Sequence, residues 1–155
     1  MPATYNSLAT AVGTGSSAII NFGSFSGYTD LRIIVNQPSR RSIFMTYNND
    51  TGGNYSNVRY LYVPNNGSGY SDKQDNQSNV LFTTNQSDFI MCDIMNYANT
   101  SAYKTSFISN NQTTSAWGIQ VATWRSTSAI TSITITGDGN FTSNDFFTLY
   151  GIAAA

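Results

Sequence analysis

The sequence contains no histidine and no glutamate, and only one of its 155 residues is cysteine and three are proline. Each absence excludes something. Without histidine no Ser-His-Asp or Cys-His nucleophile can assemble, and without glutamate no glutamate-based acid/base pair exists. A single cysteine, Cys92, rules out a disulfide within the chain; its setting, DFIMCDIM, reads as that of a small buried hydrophobe. Charge is also scarce, at 10% of residues with a net charge of −1, where a soluble domain has about a quarter. The seven basic residues are scattered except for Arg40-Arg41, so no basic stripe is present to neutralise phosphates, and nucleic acid is not an expected partner. The start, MPATYNSLATAVGTGSSAI, lacks a basic segment followed by an unbroken apolar core, so no signal peptide is expected. No apolar run approaches the length of a bilayer span, so no membrane partner is expected either.

What remains is polar, aromatic and β-branched. Aromatic residues make up 14% and hydrophobic residues 40%. Low charge with ample apolar residues predicts a folded domain with an uncharged polar surface rather than disorder. The length suits one domain with a sizeable core, and no break in composition divides it.

The apolar periodicity is two almost throughout. YTDLRIIVNQ puts Leu31, Ile33 and Val35 on one face, SIFMTYN alternates Ile43, Met45 and Tyr47 with Ser42, Phe44 and Thr46, and NVRYLYVP sets Val58, Tyr60 and Tyr62 against Arg59, Leu61 and Val63. Such alternation predicts about eleven short strands, the first within TYNSLATAV. Residues 1–16 are expected to form this strand plus an arm. Clusters rich in Asn, Gly, Ser and Asp separate the strands, among them NNDTGGN and PNNGSGYSDKQDNQS; these residues favour turns because Gly and Asn accept positive φ and Asx side chains bond nearby backbone. GDGN at 137–140 predicts a hairpin. No stretch has helical period. Many short strands joined by regular turns imply an all-β fold, an antiparallel sandwich or barrel, as a single domain over 1–155.

Two strands depart from simple alternation. DFFTLYGI carries Phe147, Leu149 and Gly151 on one face and Phe146, Thr148, Tyr150 and Ile152 on the other, where a half-wet antiparallel strand should pair apolar with polar. WGIQVATW does likewise, with Trp117, Ile119 and Val121 opposite Gln120, Ala122 and Trp124. Either these are central strands partly covered by loops, or their second face is buried against another subunit. We take the second as the working expectation, with Phe146, Tyr150, Ile152 and Trp124 as subunit-interface candidates.

Chemistry is hard to find. Eight aspartates remain as the carboxylates, but nothing places a pair in a cleft, and no enzyme activity or cofactor is expected. Asp50, Asp72 and Asp75 offer oxygen atoms in Asx-rich turns, yet none fits a calcium-loop pattern, so no metal is expected. Tyr55 and Tyr70, in the polar stretches GGNYSN and NNGSGYSD, are the candidates for stacking on a sugar. With Asp72 and Asp75 they form the set of loop candidates for ligand or shell contact.

Four segments in order, SAIINFGSFSGYTDLRIIVN, YNNDTGGNYSNVRYLY, IMNYANTSAYKTSFIS and WRSTSAITSITITGDGNFTSNDFFTLYGI, resemble the jelly-roll virion domains of tailed bacteriophages. The resemblance covers roughly residues 5 to 152. One departure is Ser143-Asn144-Asp145, where the pattern expects a Gly-Ser turn. The resemblance implies a jelly-roll sandwich whose last strand returns between earlier strands, a homotrimer about a threefold axis, and a place on the exterior of a virion after synthesis in the host cytoplasm. It implies one of two roles. The first is a capsid decoration (cement) protein that binds the major capsid protein of the shell. The second is a receptor-binding knob of a tail or head fibre that recognises host surface glycans. Read as a complete product, the 155 residues contain no coiled-coil or collagen-like shaft, which favours decoration as the expectation.

Overall fold

The computed structural model describes residues 4–63, 67–83, 87–112 and 116–153. Twelve strands run through them: β1 (Thr4–Val12), β2 (Ile19–Gly23), β3 (Asp30–Asn36), β4 (Ile43–Tyr47), β5 (Tyr55–Val63), β6 (Ser68–Gln77), β7 (Val80–Thr83), β8 (Ser87–Met95), β9 (Lys104–Gln112), β10 (Ala116–Trp124), β11 (Ser132–Gly137) and β12 (Phe146–Ala153). They form an eight-stranded sheet in the order β1-β12-β3-β8-β9-β10-β5-β6 and a four-stranded sheet in the order β2-β11-β4-β7. Every pairing is antiparallel.

The topology reduces to one rule. With β5, β6, β9 and β10 set aside, the remaining eight strands pair first with last, second with seventh, third with sixth and fourth with fifth. That is a long hairpin rolled over itself, the jelly roll, and the chain is an all-β antiparallel jelly-roll sandwich. The four other strands extend only the larger sheet, as a flank of β9, β10, β5 and β6 beyond β8.

Alternation explains which side faces in. Leu31, Ile33 and Val35 of β3, Ile43, Met45 and Tyr47 of β4, Ile90, Cys92 and Ile94 of β8, and Ile133 and Ile135 of β11 have no exposed surface. Cys92 is therefore the buried hydrophobe expected of it. β12 lies between β1 and β3, with Phe147 opposite both Ala11 and Val35, and Leu149 opposite Ala9 and Ile33. Its Phe147 ring meets Phe141 edge to face at 4.7 Å. Gly151 faces in where a Cβ would lie 2.5 Å from the Tyr28 ring, so only glycine lets the last turn of the core close over that ring.

Three sequence expectations are corrected. GDGN does not close a hairpin: β11 pairs with β2 and β4 in one sheet and β12 with β1 and β3 in the other, so residues 138–145 cross between sheets. Asp145 organises that crossing. Fully buried, its carboxylate accepts hydrogen bonds from the backbone N–H groups of Ser39 and Thr142 and from the Thr142 hydroxyl. Secondly, most of PNNGSGYSDKQDNQS is strand, because β5 offers Ser68–Gln77 a ladder, broken only at a bulge around Asp75 and Asn76, that outweighs their turn-forming composition; Pro64, Asn65 and Asn66 lie outside the described residues. Thirdly, Gly13 and Gly15 donate to the carbonyls of Asp145 and Phe141, so the segment after β1 is fastened to this crossing rather than free as an arm.

The packing of β12 sets a direct test. Phe147→Ala should lower stability by about 3–5 kcal/mol through lost burial and a residual cavity, and Gly151→Ala by about 1–3 kcal/mol through overpacking. Thr148→Ala, on the outer side of the same strand, should cost much less. Urea unfolding midpoints compared at unchanged slope would read these differences; a Thr148→Ala loss equal to that of Phe147→Ala would contradict the assigned faces.

Candidate assembly interface

The smaller sheet covers only one side of the larger one, so the larger sheet has an outer side with no partner among the described residues. The register gives its composition row by row. One row reads Tyr62, Trp117, Asn111, Phe89, Asn36, Phe146 and Val12 from β5 to β1. The next runs from Tyr60 and Ile119 through Ser109, Met91 and Ile34 to Thr148 and Thr10, and a third from Val58, Val121 and Phe107 through Asp93 and Arg32 to Tyr150 and Ser7. Of the 13 large hydrophobic residues exposed among the described residues, only Ile19, Tyr70 and Tyr103 lie elsewhere.

The ten on this side are each 41–55% exposed. Five of them, Tyr5, Tyr60, Phe89, Trp117 and Phe146, are aromatic and are spread over β1, β5, β8, β10 and β12. The strongest concentration is on the added flank, where Val58, Tyr60, Phe107, Ile119 and Val121 border a shallow apolar hollow of about 220 Å³.

Most charges on this side are paired, and Asp30, opposite Ile152 of β12, accepts a hydrogen bond from the Asn96 N–H. Arg32 grips Asp93 through two hydrogen bonds of 2.5 and 2.8 Å, and its guanidinium lies 5.1 Å from the centre of the Tyr5 ring. The hydrogen bond to Asp93 raises the already high pKa of the arginine, against the opposing effect of partial burial. Lys73 stands at the rim, paired with Asp75 at 2.7 Å. Pairing of this kind lowers the cost of covering the face with apolar surface.

The interface candidates divide. Phe146 is 44% exposed on the outer side. Tyr150 and Ile152 share that side and are half-buried, opposite Arg32 and Asp30 of β3 and Ser7 and Tyr5 of β1. Trp124 is not on this surface. It is 3% exposed, on the inner side of β10, where its ring packs on Tyr47 at 5.6 Å and stacks on Tyr55 at 6.4 Å. Its indole N–H donates to Asp50 over 2.7 Å. The face of β10 that includes Gln120 is thus the buried one, made tolerable because the Gln120 amide donates to the Leu81 carbonyl.

The loop candidates are likewise redistributed. Tyr55 is 1% exposed; its hydroxyl accepts from the Tyr47 N–H and donates to the Asp50 carbonyl, each at 3.0 Å, and burial pushes its pKa up to about 12. It belongs to the core and offers no ring to a ligand. Tyr70, 49% exposed, and Asp72 sit on strand β6 rather than in a loop. Asp72 is held by Arg59 at 2.8 Å and also accepts from Gln74. Asp75 lies on the same strand.

The comparisons with known proteins come after this geometry. No family model matches the chain, and no curated protein does. Among solved structures, the galectin LEC-6 of Caenorhabditis elegans is similar at 9% identity over 94% of this chain and 96% of that one, with a TM-score of 0.36. An exo-inulinase from Aspergillus awamori is similar at 10% identity over 97% of this chain, with a TM-score of 0.38. This chain spans only 29% of the inulinase's length. Both likenesses concern the sandwich alone.

The Asp50 cluster around Trp124 gives a pH test. The Trp124 indole N–H, helped by the Asn54 amide and the Gly52 N–H, holds the Asp50 carboxyl below the usual carboxylate range, although desolvation pulls the other way. A folded pKa below the unfolded one stabilises the fold fully above the unfolded value, and that stabilisation is lost as pH falls through the folded value. Asp50→Asn should therefore be less stable than the parent at neutral pH, with the difference shrinking as the pH approaches about 2. Urea unfolding across that range would show it; a difference constant with pH would remove the charge from the account.

Proposed function

We propose that this protein is a structural component of a phage virion: a decoration (cement) protein that assembles as a homotrimer and docks on the major capsid protein of the outer shell. The observation that carries the reading is the apolar outer side of the eight-stranded sheet, uncovered among the described residues. A monomer in solution has no use for such a surface, whereas a protein that works by contact does. The resemblance of the sequence to phage jelly-roll domains supplies the setting. The mechanism is shared contact, in which one trimer touches several shell subunits and resists their separation under internal pressure.

A second reading, a receptor-binding knob that recognises host glycans, has one observation in its favour. A groove of about 300 Å³ crosses the outer side of the four-stranded sheet, lined by uncharged residues including Phe44, Thr46, Asn49, Asn79 and Thr134. Hydroxyl and amide groups beside one aromatic ring suit a neutral sugar.

Copy number in purified particles, measured by quantitative mass spectrometry against the major capsid protein, tests the proposal. Hundreds of copies per particle are expected for a decoration protein. A few dozen or fewer would favour the fibre reading and direct glycan-binding assays to the Phe44 groove. Absence from the particle would overturn both.

A further inference from the structure

The stretch GDGN, which has hairpin chemistry but closes no hairpin, has a second property. Asp138 is the only aspartate in the sequence followed by glycine. Such a pair can close a five-membered ring between the aspartate side chain and the next peptide nitrogen. Closure needs a carboxyl group free to turn, a peptide N–H not held in a hydrogen bond, and no side chain on the following residue to obstruct the approach.

The crossing meets all three conditions. Asp138 is exposed, and among the described residues its carboxylate has no hydrogen bond or ion pair. The chain around it is pinned at other points: the Gly137 N–H donates to the Ala18 carbonyl over 2.8 Å, Asp138 to Ser42 over 3.1 Å, and Phe141 to Ser17 over 2.9 Å. The Gly139 N–H stands outside this set and has no partner among the described residues. Other aspartates differ. Asp145 is fully buried with its oxygens occupied, and Asp72, Asp75, Asp88 and Asp93 each sit in an ion pair.

A further contact makes the fold a participant. A Cβ on Gly139 would lie 3.0 Å from both Cζ and Nη1 of Arg41, so the guanidinium rests against this glycine. Among the described residues no carboxylate lies within ion-pair distance of Arg41, and its buried Nε donates to nothing. An uncommitted positive charge beside a peptide favours loss of the N–H proton, which is what turns that nitrogen into a nucleophile.

We propose that Asp138–Gly139 is a site of spontaneous isomerisation through a cyclic imide, and that Arg41 promotes it. The Gly139 nitrogen bonds to Cγ of Asp138, and its proton leaves with the carboxyl hydroxyl group as one water molecule. A second water then opens the ring. Attack at Cγ restores aspartate, whereas attack at the Asp138 backbone carbonyl leaves the chain running through the side chain, as isoaspartate. No other reactant is consumed. Isoaspartate adds one carbon to the main chain between the bonds to Ser42 and Ser17, and so loosens the crossing beside the buried Phe141.

The test incubates the folded protein in heavy-oxygen water at mildly acidic pH, well below its unfolding temperature. Peptide mapping by mass spectrometry, with fragmentation that separates isoaspartate from aspartate, then reads residue 138. In the parent, heavy oxygen and isoaspartate should accumulate there; in Asp138→Glu, whose longer side chain would need a larger ring, both should be lost. Arg41→Gln should slow the accumulation several-fold in the folded protein while leaving the rate in concentrated urea unchanged. Arg41→Lys, which keeps the charge, should recover part of the folded rate. Circular dichroism confirms that each variant folds. Should Arg41→Gln not fold, the parent alone decides, and its folded rate should at least equal its rate in urea. A folded parent that takes up no heavy oxygen at residue 138, while the urea-unfolded chain does, would overturn the proposal by showing that the fold shields the site. Equal folded rates for the parent and Arg41→Gln would overturn the role given to Arg41.

Discussion

The larger sheet depends on β12. This last strand supplies one ladder to β3 and the whole of the ladder to β1, and β1 has no other strand neighbour. Without β12 the first strand would have nothing to pair with, and the inner faces of Leu31, Ile33 and Val35 would lose Phe147 and Leu149. The constraint is topological as much as energetic. The pairing of Thr4 with Ala153 joins the two ends of the described chain, so most of the loop-closure entropy is already spent before this ladder can form. A dense apolar run at the end of the sequence is what such a late, decisive strand needs.

The large-scale plan was legible in the sequence because period-two alternation reports burial directly. The core positions of β3 and β4 follow from it residue by residue. Three features were not legible, each for a physical reason. Residues 68–77 have the composition of a turn, and only the ladder offered by β5, which no local pattern reveals, makes them a strand. GDGN carries the local chemistry of a hairpin, but Asp145, eight residues after Gly137, gathers bonds from Ser39 and Thr142 and turns the chain into the opposite sheet. Tyr55 sits among Asn and Gly, so it reads as exposed, while its ring lies under Trp124 and its hydroxyl is occupied by backbone groups of Tyr47 and Asp50.

The strand β10 shows why polarity alone misassigns a face. Its more apolar side, with Trp117, Ile119 and Val121, points outward; its more polar side, with Gln120, points inward. A buried amide is acceptable when its hydrogen bonds are met, and the Leu81 carbonyl meets one of them. An exposed apolar row is acceptable only if something covers it or if it is broken into small pieces. The usual rule of apolar in and polar out presumes one core. A subunit with a second buried surface, formed between molecules, violates it on the strands that serve both.

On the assembly reading proposed above, the outer side must also remain soluble before it is covered, and its middle rows bear on how. Among its apolar residues lie Asn36, Ser109, Asn111 and Thr148, with the Arg32–Asp93 pair in the third row. These residues interrupt what would otherwise be one continuous apolar strip across the sheet, and scattered apolar residues are far less prone to nonspecific association than a contiguous patch. They do so with short uncharged groups and one self-neutralised pair, which can be covered later at little desolvation cost compared with isolated ions. Under the proposed assembly, the scarcity of charge in the whole sequence and the interrupted pattern on this face share one physical cause: a surface that is wet first and dry afterwards.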